Sequence, residues 1–397
     1  MPGAIESLRA AGLLGVDGFR HPSARNAVLE GMTPDEYAGL HRLAGHALHE
    51  HGATASSLAP HVVAAEISAP WVAPVLYEAA EQALASGRTE LAITYLRRTL
   101  KEQLDRPHRA AVESALARAE WRVNPALITQ HLPALLAALR AGLLHPGQVK
   151  ELVLFQLWSG RTDEVTEALA VGCDGALDAE EIRLWLCGVC PELAEGIAVD
   201  RAVERATAAI MPVGLKGASV LAATLAGTAD SSTLVAATQI LRGSRLSDPT
   251  LVPLLASLVA LLCADELDQA QSWCDSLLAE AVERGVPTWR ALLSALRSAI
   301  SLRQGSLAAA EAYAVTALEL LGPRGWGLRS GCRWLVWCWL VPLLVSRSRL
   351  LRCFGFRCLL RCFRRRLGCF MCMLVGGISW LPGMCMPRWR TFSPVVS

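Results

Sequence analysis

Several groups of residues in this chain have the types and spacing that chemistry would need. Five histidines, His41, His46, His49, His51 and His61, fall in one short stretch. His46 and His49 stand three apart, which brings two side chains to one helix face, so they could offer two nitrogens to a metal. Zinc sites take three or four ligands, and no cysteine or fixed ligand pattern accompanies the pair, so no metal is expected. Cys187-Gly-Val-Cys190, followed by Pro191, has the spacing of a redox dithiol. Such a pair works when the first thiol caps a helix N-terminus, which lowers its pKa. Here the apolar run IRLWLC leads into it with no strand before it, and buried structural thiols are the expectation. Glu180, Glu181, Glu192 and Glu195 read as solvated helix faces. The lysines before Pro323 are Lys101, Lys150 and Lys216 alone. None stands in G-x-x-x-x-G-K-[ST], the loop whose backbone N–H groups cradle phosphates. GLKGAS at 214–219 has the wrong order and spacing. No catalytic residue is assigned, and the chain is not expected to be an enzyme.

The last 75 residues, 323–397, follow a different composition. They contain no Asp, Glu, Lys, Ala, Asn, Gln, His or Tyr, yet hold 8 of the 13 cysteines, 6 of the 12 tryptophans and 13 arginines. The preceding 322 residues carry all 36 acidic groups against 25 basic ones, a net charge of −11. The overall +2 thus joins an acidic, Ala/Leu-rich body to a tail of +13. A GC-rich gene for Ala, Asp, Glu and Leu read one base off yields Arg, Cys, Trp, Gly, Ser and Pro. The tail is therefore expected to be out-of-frame text, breaking near Gly327, irregular and disordered. The rival reading takes it at face value. RSRLLRCFGFRCLLRCFRRR is then a basic amphipathic surface helix on an anionic lipid surface. Arg361, Arg364, Arg365 and Arg366 among Phe and Trp then also mimic a nucleic-acid patch. The two apolar stretches beside it, Trp334–Val345 and Leu367–Met384, are too short or too rich in Gly and Pro to span a bilayer.

The body must position whatever function there is. Ala, Leu, Glu and Arg favour helix because they lose little rotamer freedom in it. The body cysteines, Cys173, Cys187, Cys190, Cys263 and Cys274, suit a reduced compartment better than a disulfide framework. The opening MPGAIESLRAAGLL lacks the basic and apolar regions of a secretory signal. Residues 4–14 read as a short helix ending near Gly12, and Gly15, Asp17 and Gly18 as a turn that could form a two-stranded wing. Pro22 opens a helix through Met32. Thr33, Pro34 and Glu36 have capping-box spacing, with Tyr37, Leu40, Ala44, Ala47 and Leu48 lining the next helix. From Ser68 onward the pattern is helical hairpins. Trp71, Val75, Ala79 and Ala83 form one stripe, Gly87 breaks it, and Leu91, Tyr95 and Thr99 form the return. Breaks recur at Gly160 and Gly305, about two and then four units of ~36 residues further on, near the tetratricopeptide period. Gly196 falls in phase, and Ala264 takes the inter-helix position of another copy. Hairpins of this kind cover one another's apolar faces only by stacking.

AIESLRAAGLL, GFRHPSARNAVLEGM, PDEYAGLHRLAGHAL and LAPHVVAAE, within residues 4–65, resemble the large ATP-binding regulators of the LuxR type. That resemblance implies a winged helix with an FRHP-like turn, a helical-repeat solenoid, and flanking ATPase and helix-turn-helix domains. It extends more weakly through EAAEQALASGRTELAITYLRRTL (78–100) to the later repeats. It implies that His21 contacts nucleotide phosphates in the intact family; the alternative is a histidine that caps the turn before Pro22. Two departures stand out: no phosphate-binding loop precedes the winged helix, and no recognition helix follows Leu321.

The expectation is an all-α protein: a winged-helix-like domain over 1–66, a tetratricopeptide-like α-solenoid over 67–322, and the irregular tail over 323–397. Its function would be that of a truncated LuxR-type regulator in the cytoplasm, with a protein partner or small-molecule effector on the solenoid and self-association as a further option. ATP or ADP would be bound only by the full-length family member, DNA only through a missing C-terminal domain, and a membrane only if the tail is genuine. The alternative is a solenoid adaptor with a membrane-surface tail.

Overall fold

The computed structural model describes residues 2–15, 18–172, 177–189 and 211–326. All lie in the first of the two units into which the chain divides, 1–346 and 347–397. The tail beyond Trp326, Gly196, Cys173, Cys190, Glu192 and Glu195 lie outside the described residues. Among the described residues the protein is all-α, with no strand. At the place of the expected wing there is a single antiparallel bridge, Leu14 to Phe19, with Gly15 N–H donating to the Gly18 carbonyl at 2.7 Å.

The first four helices are α1 (Pro2–Ala10), α2 (Pro22–Glu30), α3 (Pro34–Glu50) and α4 (Ala55–Ala64). Pro22 and Pro34 occupy first-turn positions, where a missing N–H costs nothing. The Thr33–Glu36 capping box forms as the spacing predicts. Thr33 N–H donates to Glu36 Oε2 at 2.9 Å and Glu36 N–H to Thr33 Oγ1 at 3.3 Å. The hydrogen bonds from the Thr33 backbone and hydroxyl hold the Glu36 carboxyl below its usual range. The apolar stripe of α3 differs from the one expected. Leu40 is 51 % exposed, and Leu43 beside it 71 %. The inward face instead runs through Tyr37, His41, Gly45 and Leu48, because Gly45 lets the Ile67 side chain approach. A methyl group there would stand 2.7 Å from Ile67 Cδ1.

Hairpins follow: α5 (Val72–Ala85) with α6 (Thr89–Thr99), α7 (Arg106–Val123) with α8 (Ile128–Arg140), and α9 (Pro146–Trp158) with α10 (Thr162–Gly172). After α11 (Leu177–Val189) come α12 (Val213–Ala226) with α13 (Ser231–Gly243), α14 (Asp248–Cys263) with α15 (Leu267–Glu283), and α16 (Pro287–Arg303) with α17 (Leu307–Gly325). The predicted breaks at Gly87, Gly160 and Gly305 are left-handed, with φ of 74°, 73° and 79°. Without a Cβ, glycine enters that region freely and stops a helix. In the Ala264 copy the left-handed residue is the next one, Asp265, at φ 64°. Ala79, Ala83, Tyr95 and Thr99 are buried as the stripes require.

Most packing joins helices close in sequence, as in a repeat protein. Several contacts among the described residues do not. Helix α7 packs on α16, and the 3₁₀ turn Pro125–Leu127 after it packs on α17. Thr288 Oγ1 donates to the Trp121 carbonyl at 2.7 Å, and Trp158 Nε1 donates to the Gly325 carbonyl at 2.9 Å. Helices α14 and α16 are buried on nearly every face; α14 is accordingly apolar all round, while α16 also buries Thr288, Ser294, Arg297, Ser298 and Ser301. No helix among the described residues is long and apolar enough to cross a membrane.

Candidate ligand cavity

Helices α7, α9, α11, α12, α14 and α16 surround a cavity of about 370 Å³. Helix α9 lines it most heavily. Glu151 and Phe155 stand four apart, as do Leu154 and Trp158, so a single face carries all four. Trp121 comes from α7, Ile182 and Trp185 from α11, and Leu251 and Leu255 from α14. Gly214 also lines it, and a Cβ there would collide with the Glu181 carboxylate; away from the cavity, one at Gly217 would stand 2.6 Å from Pro253 Cα, so α12 and α14 pack closely. The Trp121 ring lies edge-on to Trp158 at 5.7 Å and 6.4 Å from Phe155; Trp158 stacks on Trp326 at 6.2 Å.

The charges at the cavity wall pair among themselves. Arg118 reaches Glu81 at 2.7 Å, Glu151 at 3.3 Å and Asp248 at 3.7 Å. Arg122 binds Asp248 through Nε and Nη2, gives Nη1 to the Leu84 carbonyl at 3.0 Å, and lies over the Trp289 ring at 5.0 Å. Lys150 pairs with Glu181 at 2.9 Å. Burial raises the Glu151 carboxyl above its ordinary range; Arg118 opposes that rise, while Asp248 and Glu81 reinforce it. Burial would lower the Arg118 guanidinium, but its three carboxylates outweigh that and raise it.

Three polar atoms of lining residues, Trp121 Nε1, Trp185 Nε1 and Glu151 Oε2, have no hydrogen-bond partner among the described residues, and each is buried away from the open space. Trp185 is only 8 % exposed. Buried polar groups are nearly always paired, by protein, water or ligand, and an indole N–H can only donate. The cavity is a largely apolar space with charged side chains at its wall, the make-up of a small-molecule site.

No protein-family model, curated protein or solved structure matches this chain. The geometry carries the functional reading alone.

The residues singled out in the sequence fall elsewhere. His21 caps α2, its Nδ1 accepting from Ser23 N–H at 3.2 Å, on an exposed turn. The histidine cluster is held by aromatic neighbours. The His41 ring sits tilted between those of Tyr37 at 4.3 Å and His61 at 4.8 Å, while His46 and His49 pack on Trp71 at 5.8 and 4.3 Å. His51 Nδ1 lies 2.7 Å from the Ala47 carbonyl. Among the described residues no group of three or more His, Cys, Asp or Glu is placed to hold a metal. The Cys187 thiol is pushed up by burial and by Glu180, away from the thiolate that redox work needs. Of the glutamates read as solvated, Glu181 instead lines the cavity and binds Lys150. Sequence reasoning missed Trp121, Glu151 and Trp185. The available signal was the set of Trp and Phe residues on α7, α9 and α11 beside charges set in apolar runs.

Proposed function

We propose that this chain is the sensing and interaction region of a LuxR-type regulator. In this reading residues 1–66 form its winged-helix-like unit and 67–322 a degenerate tetratricopeptide-like solenoid. The chain works in the cytoplasm and neither hydrolyses ATP nor reads DNA itself. The cavity between α7, α9, α11, α12, α14 and α16 receives an effector, and the observation that carries this is its size, about 370 Å³, with an aromatic wall of Trp121, Phe155, Trp158 and Trp185. Because α7 also packs on α16, an effector that orders α7 favours one arrangement of the α7–α8 and α16–α17 hairpins over another.

The adaptor reading has an observation of its own: Val28, Leu40 and Leu43 stand exposed, at 40, 51 and 71 %, on the surface between α2 and α3. Apolar side chains grouped in this way suit a protein partner.

Capture from cell extract separates the two. The purified full chain is incubated with extract, and bound small molecules and co-purifying proteins are identified by mass spectrometry. A small molecule recovered near one per chain, which raises the melting temperature when added back, supports the sensor. A stoichiometric protein with no bound small molecule, lost on Leu40→Asp with Leu43→Asp, supports the adaptor. ATP turnover by the purified chain would overturn both.

A further inference from the structure

We propose that the exposed face of α3 docks a second copy of this chain, the two α3 helices crossing antiparallel near Gly39 so that Arg42 of each meets Asp35 and Glu36 of the other. The face is the one on which the adaptor reading rests, with its partner now named, and the effector cavity takes no part in it.

Three observations lead to it. The first is an apolar surface that the chain leaves open. Glu36, Gly39, Leu40 and Leu43 recur at the spacing of one helix face, and both leucines are exposed. They border a groove of about 840 Å³ whose other wall includes Val28 and Met32. The second is Gly39. It lies inside a helix, where glycine is unfavourable, yet a Cβ there would meet nothing within 4 Å. No neighbour among the described residues calls for glycine at this position; the close approach of another backbone does. The third is charge. Among the described residues Asp35 and Arg42 join no ion pair. Three and four residues from Arg42 the helix carries Ala38, Gly39, Gly45 and His46, so no carboxylate of α3 itself can reach it. Both Thr33 side-chain and backbone bonds to Glu36 end on Oε2, and Oε1 can still accept. A two-fold axis sets residue i against j and j against i. With the axis at or just before Gly39, Arg42 comes level with Glu36 and Asp35 of the other copy, and the match occurs twice. An unrelated protein would have to supply that complement separately, whereas a second copy carries it by symmetry. The groove is bordered by ten residues, fewer than the ~20–30 a side of a standard interface, so the dimer is weak and reversible.

The test follows the full chain, kept reduced, by sedimentation equilibrium from about 1 to 200 µM. A monomer–dimer equilibrium is expected, and Leu40→Asp with Leu43→Asp should leave monomer alone over that range. Arg42→Glu should weaken the dimer roughly fivefold or more, since symmetry counts each lost pair twice. Adding Asp35→Arg to that variant should restore much of the loss. Gly39→Leu separates docking from folding. It puts a good helix former in place of glycine, so the melting temperature should hold or rise, while the added bulk keeps the two backbones apart and abolishes the dimer. If the double aspartate variant fails to fold, Gly39→Leu and the charge exchange still decide. A monomer throughout the range would overturn the proposal. So would an assembly that persists in Gly39→Leu, because its contact then lies elsewhere on the chain. A different protein bound to this face, and lost on Leu40→Asp with Leu43→Asp while the chain alone stays monomeric, would overturn the second copy and leave the adaptor reading standing.

Discussion

Arg122 and Asp248, 126 residues apart in sequence, form a forked ion pair. Arg122 Nε lies 3.0 and 3.1 Å from the two carboxylate oxygens and Nη2 2.6 Å from one of them, with the side chains 8 and 16 % exposed. The pair ties the end of α7 to the start of α14. A pair this buried is weak evidence of net stabilisation, but removing one member strands the other. Asp248→Ala is expected to cost about 3–5 kcal/mol, read as a lower midpoint in chemical unfolding. Replacing both, Arg122→Met with Asp248→Leu, should recover most of the loss. A single variant as stable as the parent would mean that the fork does not hold in solution.

The second long-range tie is apolar. Trp158 donates to the Gly325 carbonyl at 2.9 Å and stacks on Trp326. Trp158→Phe keeps a ring but leaves that buried carbonyl without its donor, a penalty of about 1–3 kcal/mol. The melting temperature should fall accordingly, and α17 should become the first segment cut in limited proteolysis. Cleavage that begins elsewhere with an unchanged melting temperature would show that α17 is anchored by other contacts.

Local signals in the sequence were read well where a short-range rule governs them. Thr33, Pro34 and Glu36 specify a helix start within three residues, and Gly87, Gly160 and Gly305 mark stops that need a left-handed residue. The stop after α14 falls at Ala264 as expected, though the left-handed residue is the next one, Asp265, which takes φ 64° without being glycine. The α3 face was misread because the deciding residue, Gly45, has no side chain to count in an apolar stripe. The cavity was illegible for a different reason. Helical periodicity shows that Phe155 and Trp158 face inward, but not that α7 and α11 supply the opposite wall. Arg118 and Arg122 look like solvent-facing charges on an ordinary polar helix until Glu151 and Asp248 arrive from other hairpins.

Gly87 and Gly142 separate backbone strain from tertiary contact. Both are left-handed, at φ 74° and 66°. A Cβ at Gly142 would meet nothing within 4 Å, whereas one at Gly87 would lie 2.9 Å from the Arg284 carbonyl oxygen. Gly142→Ala should therefore cost only the conformational penalty, roughly 1–2 kcal/mol. Gly87→Ala should cost about 1–3 kcal/mol more, since backbone and not a flexible side chain must move. Thermal unfolding of the two variants side by side measures the difference. Equal losses would place the α5–α6 turn away from the α15–α16 turn in solution.

The His131 ring is held between two carboxylates of α7, with Nδ1 2.7 Å from Glu113 and Nε2 2.9 Å from Glu120. Glu120 also takes hydrogen bonds from Arg97 of α6 and Gln130. Burial alone would lower the imidazole pKa, but the two carboxylates outweigh it and raise it from 6.5 to about 9. Burial likewise opposes the fall at Glu120, where the bonds from His131 and Arg97 prevail and lower its pKa. A histidine raised on folding contributes stability that is complete below the unfolded value, near 6.5. That contribution drains away as pH rises toward 9, because the folded state then holds a proton the unfolded state has released. The difference corresponds to stabilisation on the order of 3 kcal/mol at the acid side of that window. His41 acts in the opposite sense, its pKa lowered by burial, His61 and Arg25, so its destabilising effect develops below about 6.5; above about 8 the Cys187, Cys263 and Cys274 thiols, raised by burial, add their own loss of stability. Unfolding midpoints measured from pH 6.5 to 8 should thus fall steadily for the parent chain and stay nearly level for His131→Gln, which starts lower. Parallel curves for the two proteins would mean that His131 enters the fold uncharged, with Glu113 and Glu120 balanced by Arg97 alone.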